Sequence, residues 1–85
     1  MTKLTKVVLD VLKPHQPNSL DFADHIAQAG PDHDVHLTVE EMDEKTHTLK
    51  IVVCGADLDF AQIEVAINDL GGSLHSIDEV QVCNG

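Results

Sequence analysis

Val35-His-Leu-Thr-Val-Glu-Glu-Met-Asp-Glu-Lys-Thr-His-Thr-Leu-Lys-Ile-Val-Val-Cys54 lies near the middle of the chain and decides how the rest must fold. From Val35 to Glu41 the residues alternate strictly, with Val35, Leu37 and Val39 on one side. From Thr48 to Cys54 they alternate again through Leu49, Ile51 and Val53. A period of two belongs to a strand with one buried face. The polar run over residues 43–46 is short enough to be a hairpin connection. The centre of the chain is therefore an antiparallel pair of strands with inner faces on one side.

Moving outward, each strand of this pair is flanked by a helical pattern and then by another strand. Upstream, residues 19–29 place Phe22, Ile26 and Ala29 at helical spacing, with Asn18 or Ser19 available as cap and Gly30-Pro31 as stop. Downstream, a helix capped by Asp57 or Asp59 runs to Leu70, with Ile63, Ala66, Ile67 and Leu70 on one face and Gly71-Gly72 after it. Lys6-Val-Val-Leu-Asp-Val-Leu12 reads as a mostly buried strand that stops at Lys13-Pro14. Residues 73–82 form the last strand, and the three-residue spacing of Leu74, Ile77 and Val80 predicts a bulge or a late start. The order β-α-β-β-α-β, with right-handed crossovers, gives a ferredoxin-like α+β sandwich. Its antiparallel sheet has strand order 4-1-3-2 and both helices on one face. One domain over residues 1–85 is expected, since a chain of this length holds one core.

Three further stretches carry a resemblance. Val7-Val-Leu-Asp-Val-Leu-Lys-Pro-His15, Asp57-Leu-Asp59 and Gly71-Gly-Ser-Leu-His-Ser-Ile-Asp-Glu-Val80 resemble a small archaeal family of unknown function. The resemblance covers nearly the whole chain. It implies a ferredoxin-like fold, a tendency to form rings or other homo-oligomers, and binding of divalent metal ions. It implies nothing for Pro31-Asp-His-Asp-Val-His36, which has no counterpart in that pattern.

Charge narrows the function classes. Five lysines stand against fifteen acids, there is no arginine, and the formal charge is −10. Such a chain is repelled by phosphate backbones, and Phe22 and Phe60 are its only large aromatic residues, so nucleic acid is not an expected partner. The same charge attracts divalent cations and basic partners, and it also keeps a protein soluble. No stretch approaches the roughly 20 apolar residues of a membrane span, and the first residues lack the apolar core of a secretory signal. The expected location is cytoplasmic.

The topology predicts where metal-capable side chains gather. One end of the sheet collects Lys13, His15, Glu41, Asp43, His47 and His75, with Asp10 and Asp78 further along the same strands. His15 and His75 are expected on neighbouring strands, about 4.8 Å apart, close enough to share an ion or a proton. His15, His75, Asp10, Asp78, His47 and Asp43 are accordingly the first candidate metal set; solvated loop histidines are the plainer alternative. Carboxylate oxygens would suit Ca²⁺, and imidazoles would suit Zn²⁺ or Cu²⁺. The opposite end collects a weaker set, His33, His36, Cys54 and Cys83. The two cysteines sit roughly 10 Å apart across the sheet, too far for an unstrained disulfide.

Catalysis has little to stand on, since the chain lacks G-x-S-x-G, a glycine-rich phosphate loop, H-E-x-x-H and C-x-x-C. The uncovered sheet face, expected to carry Val8, Asp10, Leu12, Thr48, Lys50, Val52, His36, Thr38 and Glu40, is too apolar for a plain solvent face. The sequence therefore points to a non-catalytic homo-oligomer, ring or filament, with divalent metal ions at or near subunit contacts. The alternative is a small-molecule-sensing regulatory module with its ligand at the subunit interface, an idea resting on fold analogy.

Overall fold

The computed structural model describes all of residues 1–85. Strand β1 (Thr2–Pro14) is followed by helix α1 (Ser19–Gln28), strands β2 (Asp34–Met42) and β3 (Thr46–Cys54), helix α2 (Phe60–Asp69) and strand β4 (Ser73–Asn84). The sheet order is β2-β3-β1-β4, with antiparallel pairing at every contact. This is the ferredoxin-like arrangement that the alternation of the central hairpin requires.

The helices begin where side chains satisfy their free N–H groups. Asn18 Oδ1 accepts from Asp21 N at 2.8 Å, and Asp59 Oδ1 accepts from Ala61 N at 3.1 Å. Their inward residues, Phe22, Ile26, Ile63, Ala66 and Ile67, close over Val7, Leu9, Val11, Leu49, Ile51 and Val53 in one hydrophobic cluster. Gly72 has to be glycine for packing reasons, because a Cβ there would stand 2.7 Å from the ring tip of Phe22. Gly71 adopts φ 80°, the left-handed turn that ends α2. Gly30 does not play that part for α1; Asp32, at φ 59°, makes the left-handed turn before β2.

Two features exceed the expectation from sequence. β1 and β4 run several residues longer than their apolar stretches, because Thr2, Lys3 and Leu4 pair with Asn84, Cys83 and Val82 in a two-stranded extension. The bulge expected in β4 occurs twice, with Asp78 and His75 as the extra residues, and β1 carries a third irregularity at Thr5. The molecule is drawn out as a result, 45 × 22 × 17 Å.

Candidate functional site

Continuing the core face of β1 past Val7, Leu9 and Val11 brings Lys13 inward, and reading β3 backwards from Leu49 brings His47 to the same level. The two are register partners at the end of the core. Lys13 is 0% exposed, and its ammonium donates to the carbonyls of Pro14 at 2.8 Å and His15 at 3.3 Å. Burial pushes its pKa down. His47 is 9% exposed, and its Nδ1 is buried without a hydrogen-bond partner. Burial, and then the Lys13 ammonium beside it, hold His47 below the usual imidazole range.

His15 leans on this pair from the loop after β1. Its ring lies 4.5 Å from that of His47, tilted by 54°. Its Nε2 is 2.9 Å from the carbonyl oxygen of Asp43; a carbonyl only accepts, so Nε2 carries the proton and Nδ1 the lone pair. The carboxylate of Asp43 is committed to the hairpin turn. It accepts from the backbone N–H groups of Lys45 at 3.0 Å and Thr46 at 2.8 Å, and from the Thr46 hydroxyl. These bonds, led by the one from Thr46 N–H, pull its pKa down.

The first candidate set thus divides. His15, His47 and the Asp43 backbone come together, while His75, Asp78 and Asp10 lie elsewhere. The expected meeting of His15 with His75 does not occur. Leu12 already pairs with Ser73, and His75 falls outside the ladder at the bulge beside Asp10 and Val11. His15 therefore stands about four residues further along β1, roughly 13 Å away. Within the chain, no group of three His, Cys, Asp or Glu side chains comes together closely enough to hold a metal ion.

Along β4, His75 and Asp78 are exposed, and Asp78 Oδ1 accepts from the Ser76 hydroxyl at 2.7 Å. Asp10 stands between Lys50 and Ser76 in the register, yet its Oδ1 is buried and makes no hydrogen bond. Lys6 and Glu79 form a 2.8 Å ion pair on the same uncovered face, raising the pKa of Lys6 and lowering that of Glu79. On the helix side of β4, Ile77, Val80 and Val82 are 50%, 56% and 54% exposed. Nothing in the irregular spacing of Ile77, Val80 and Val82 marks them as exposed; only the packing does.

The weaker set is dispersed. His33 Nδ1 donates to the Ile26 carbonyl at 3.0 Å, fastening the turn after α1. His36 is exposed and pairs with Val52. Cys54 and Cys83 are free; they pair with Lys6 and Lys3 from opposite sides of β1, separated both across the sheet and along it. An open groove of about 250 Å³ runs between α1 and α2 past His25, Gln28, Gln62, Val65 and Asp69. A loose His25–Asp69 pair at 3.6 Å spans it.

A ferredoxin-like sheet with one uncovered face and one apolar edge defines a small α+β module. No helix is long and apolar enough to cross a membrane. The chain belongs to the DUF211 family, described as uncharacterised ArCR, whose model matches residues 5–85. It is 41% identical over 80 residues to an uncharacterised protein of Methanocaldococcus jannaschii, covering 94% of this chain and 82% of the relative. The archaeal family resemblance read from the sequence is thereby supported, and the family itself carries no assigned activity.

Proposed function

We propose that the protein is a non-catalytic, self-associating module that forms a homo-oligomer through its β4 edge, with divalent metal ions held at or near the contact. The observation that carries this reading is the exposed row Ile77, Val80 and Val82 on an unpaired edge strand. Unpaired strand edges carry free N–H and C=O groups that readily join another strand, and apolar side chains beside them gain by being covered. A second copy of the same edge is a self-complementary partner, because a two-fold contact brings like against like.

The metal component of the proposal follows from what such a contact would double. His75, Asp78 and the unpartnered oxygen of Asp10 all lie on or beside β4. One copy falls short of a ligand set, whereas two copies related by a two-fold supply twice the donors. A mixed imidazole and carboxylate set accommodates Zn²⁺ or Cu²⁺, and Ca²⁺ if oxygens dominate.

The alternative, a sensing module, would hold its ligand at the subunit interface; within one chain the groove between the helices lends it no support, being open and smaller than the roughly 300–1,000 Å³ of typical ligand pockets. Light scattering with and without EDTA, paired with elemental analysis, tests the proposal. The expected result is a defined multimer that carries metal and loses mass on chelation, and His75→Asn with Asp78→Asn weakens it. A multimer indifferent to chelator and to that variant removes the metal from the contact, and a monomer at all concentrations removes the contact itself.

A further inference from the structure

We propose that His15 and His47 form a site for one divalent transition-metal ion of the imidazole-seeking class, such as zinc, nickel or copper(II), within a single chain. The proposal shares with the previous reading the premise that the chain takes divalent ions, but this site needs no second copy.

A neutral imidazole has one N–H and one lone pair. His15 spends its Nε2–H on the Asp43 carbonyl, which leaves Nδ1 as a bare donor atom. Anchoring the far nitrogen of a ligating histidine on a backbone carbonyl is the usual way its ring is oriented toward a metal. His47 presents a buried Nδ1 with nothing bonded to it. Such an atom costs about 1–3 kcal/mol if left without a partner.

The spacing of the rings fits a shared ion. Metal–nitrogen bonds of about 2.0–2.1 Å and bond angles of about 90–110° put the centroids of two ligating imidazoles roughly 4.5–5.2 Å apart. The observed separation of 4.5 Å is at the near end of that range. The remaining coordination positions fall to water, His15 being on the exposed side of the pair.

The surroundings select the class of ion. The donor atoms the two rings offer are nitrogens, and Oδ1 of Asp43 already accepts from Lys45 N–H, Thr46 N–H and the Thr46 hydroxyl, so the site favours an imidazole-seeking ion over Ca²⁺ or Mg²⁺. The buried ammonium of Lys13 works against any cation held by charge alone. An ion bound through nitrogen donation, toward the strong end of the divalent series, is the one that overcomes this.

The test is a zinc titration of the purified chain in competition with a chromophoric chelator, with circular dichroism confirming the fold of each variant. Wild type is expected to bind one zinc per chain at this site, over and above any ion held at the β4 contact. In the His75→Asn, Asp78→Asn background, where only this site remains, His15→Asn and His47→Gln each weaken binding at least tenfold. His36→Asn and His75→Asn leave this site unchanged, and excess calcium does not displace the zinc. Because His15 is exposed, His15→Asn keeps its fold and decides the matter even if His47→Gln does not. A wild type that takes up no zinc, or a His15→Asn variant with undiminished affinity, overturns the proposal. Recording the mass in the same samples separates the two readings. Zinc bound through His15 without a change in mass leaves this site standing while metal-linked assembly falls; ion-dependent mass with full zinc affinity in His15→Asn does the reverse.

Discussion

The two edge strands of this sheet meet water in different ways. β2 alternates as far as its single register break at Glu40, sends Val35, Leu37 and Val39 against the core, and turns Asp34, His36, Thr38 and Glu40 outward. It ends among Glu40, Glu41, Asp43 and Glu44, a run of charge that discourages another strand from adding on. β4 is longer, breaks its register three times, and keeps only Leu74 packed against the core. Its other inward residues, Ile77, Val80 and Val82, remain about half in solvent. One edge is finished and the other is not. The difference teaches that a small domain can satisfy its own core and still leave an apolar strand half in solvent, and the proposed association rests on that strand.

Charge placed on each edge breaks the comparison most sharply. Val80→Lys with Val82→Lys is expected to bring the multimer down to monomer mass by light scattering, while Thr38→Lys on β2 leaves the mass as it was. A smaller effect separates folding from association. In the Val80→Lys, Val82→Lys background, Leu37→Ala is expected to cost about 2 kcal/mol in urea unfolding, because it empties packed space. Ile77→Ala there is expected to cost well under about 1 kcal/mol, since much of its side chain is already solvated.

A further prediction concerns the end of the sheet and is blind to which edge is charged. His47 titrates below its ordinary range in the folded protein, chiefly because it is buried. As pH falls through about 6.5, the unfolded chain takes up that proton before the folded one, so stability falls. The contribution is fully present above that pH and is lost on acidification toward the folded pKa. Urea midpoints measured from pH 7.5 to 5 are expected to decline, with a shallower decline in His47→Gln and an unchanged slope in the β4 lysine variant. The smallest effect is at Cys83, exposed on the β4 extension, against the half-buried Cys54. A maleimide probe is expected to label Cys83 first in dilute protein and to slow at Cys83 on association.

Much of this was legible in the sequence because strict alternation fixes which residues of a strand face inward. Leu37, Leu49, Ile51 and Val53 announce the hairpin and its core face, and Phe22, Ile26, Ile63 and Ile67 announce the helices above it. The same rule, extended two residues at each strand end, would have placed Lys13 and His47 inside; their polarity hid them. The His15–His75 pairing was misread for a different reason. Register along β1 depends on the bulges of β4 and on strand ends that run beyond the apolar residues, and neither is fixed by local composition. The exposed stripe on β4 was out of reach in the same way. Leu74, Ile77 and Val80 read as an irregularly spaced last strand, and only the packing shows that the helices stop short of most of it.

Amide hydrogen exchange on the wild-type chain, followed along β2 and β4 at dilute and concentrated protein, tests the claim that copies meet at β4 most directly. The account predicts that amides within residues 73–84 gain protection with concentration while those of residues 34–42 do not change. Protection that grows on β2, with β4 exchanging freely at every concentration, would contradict it.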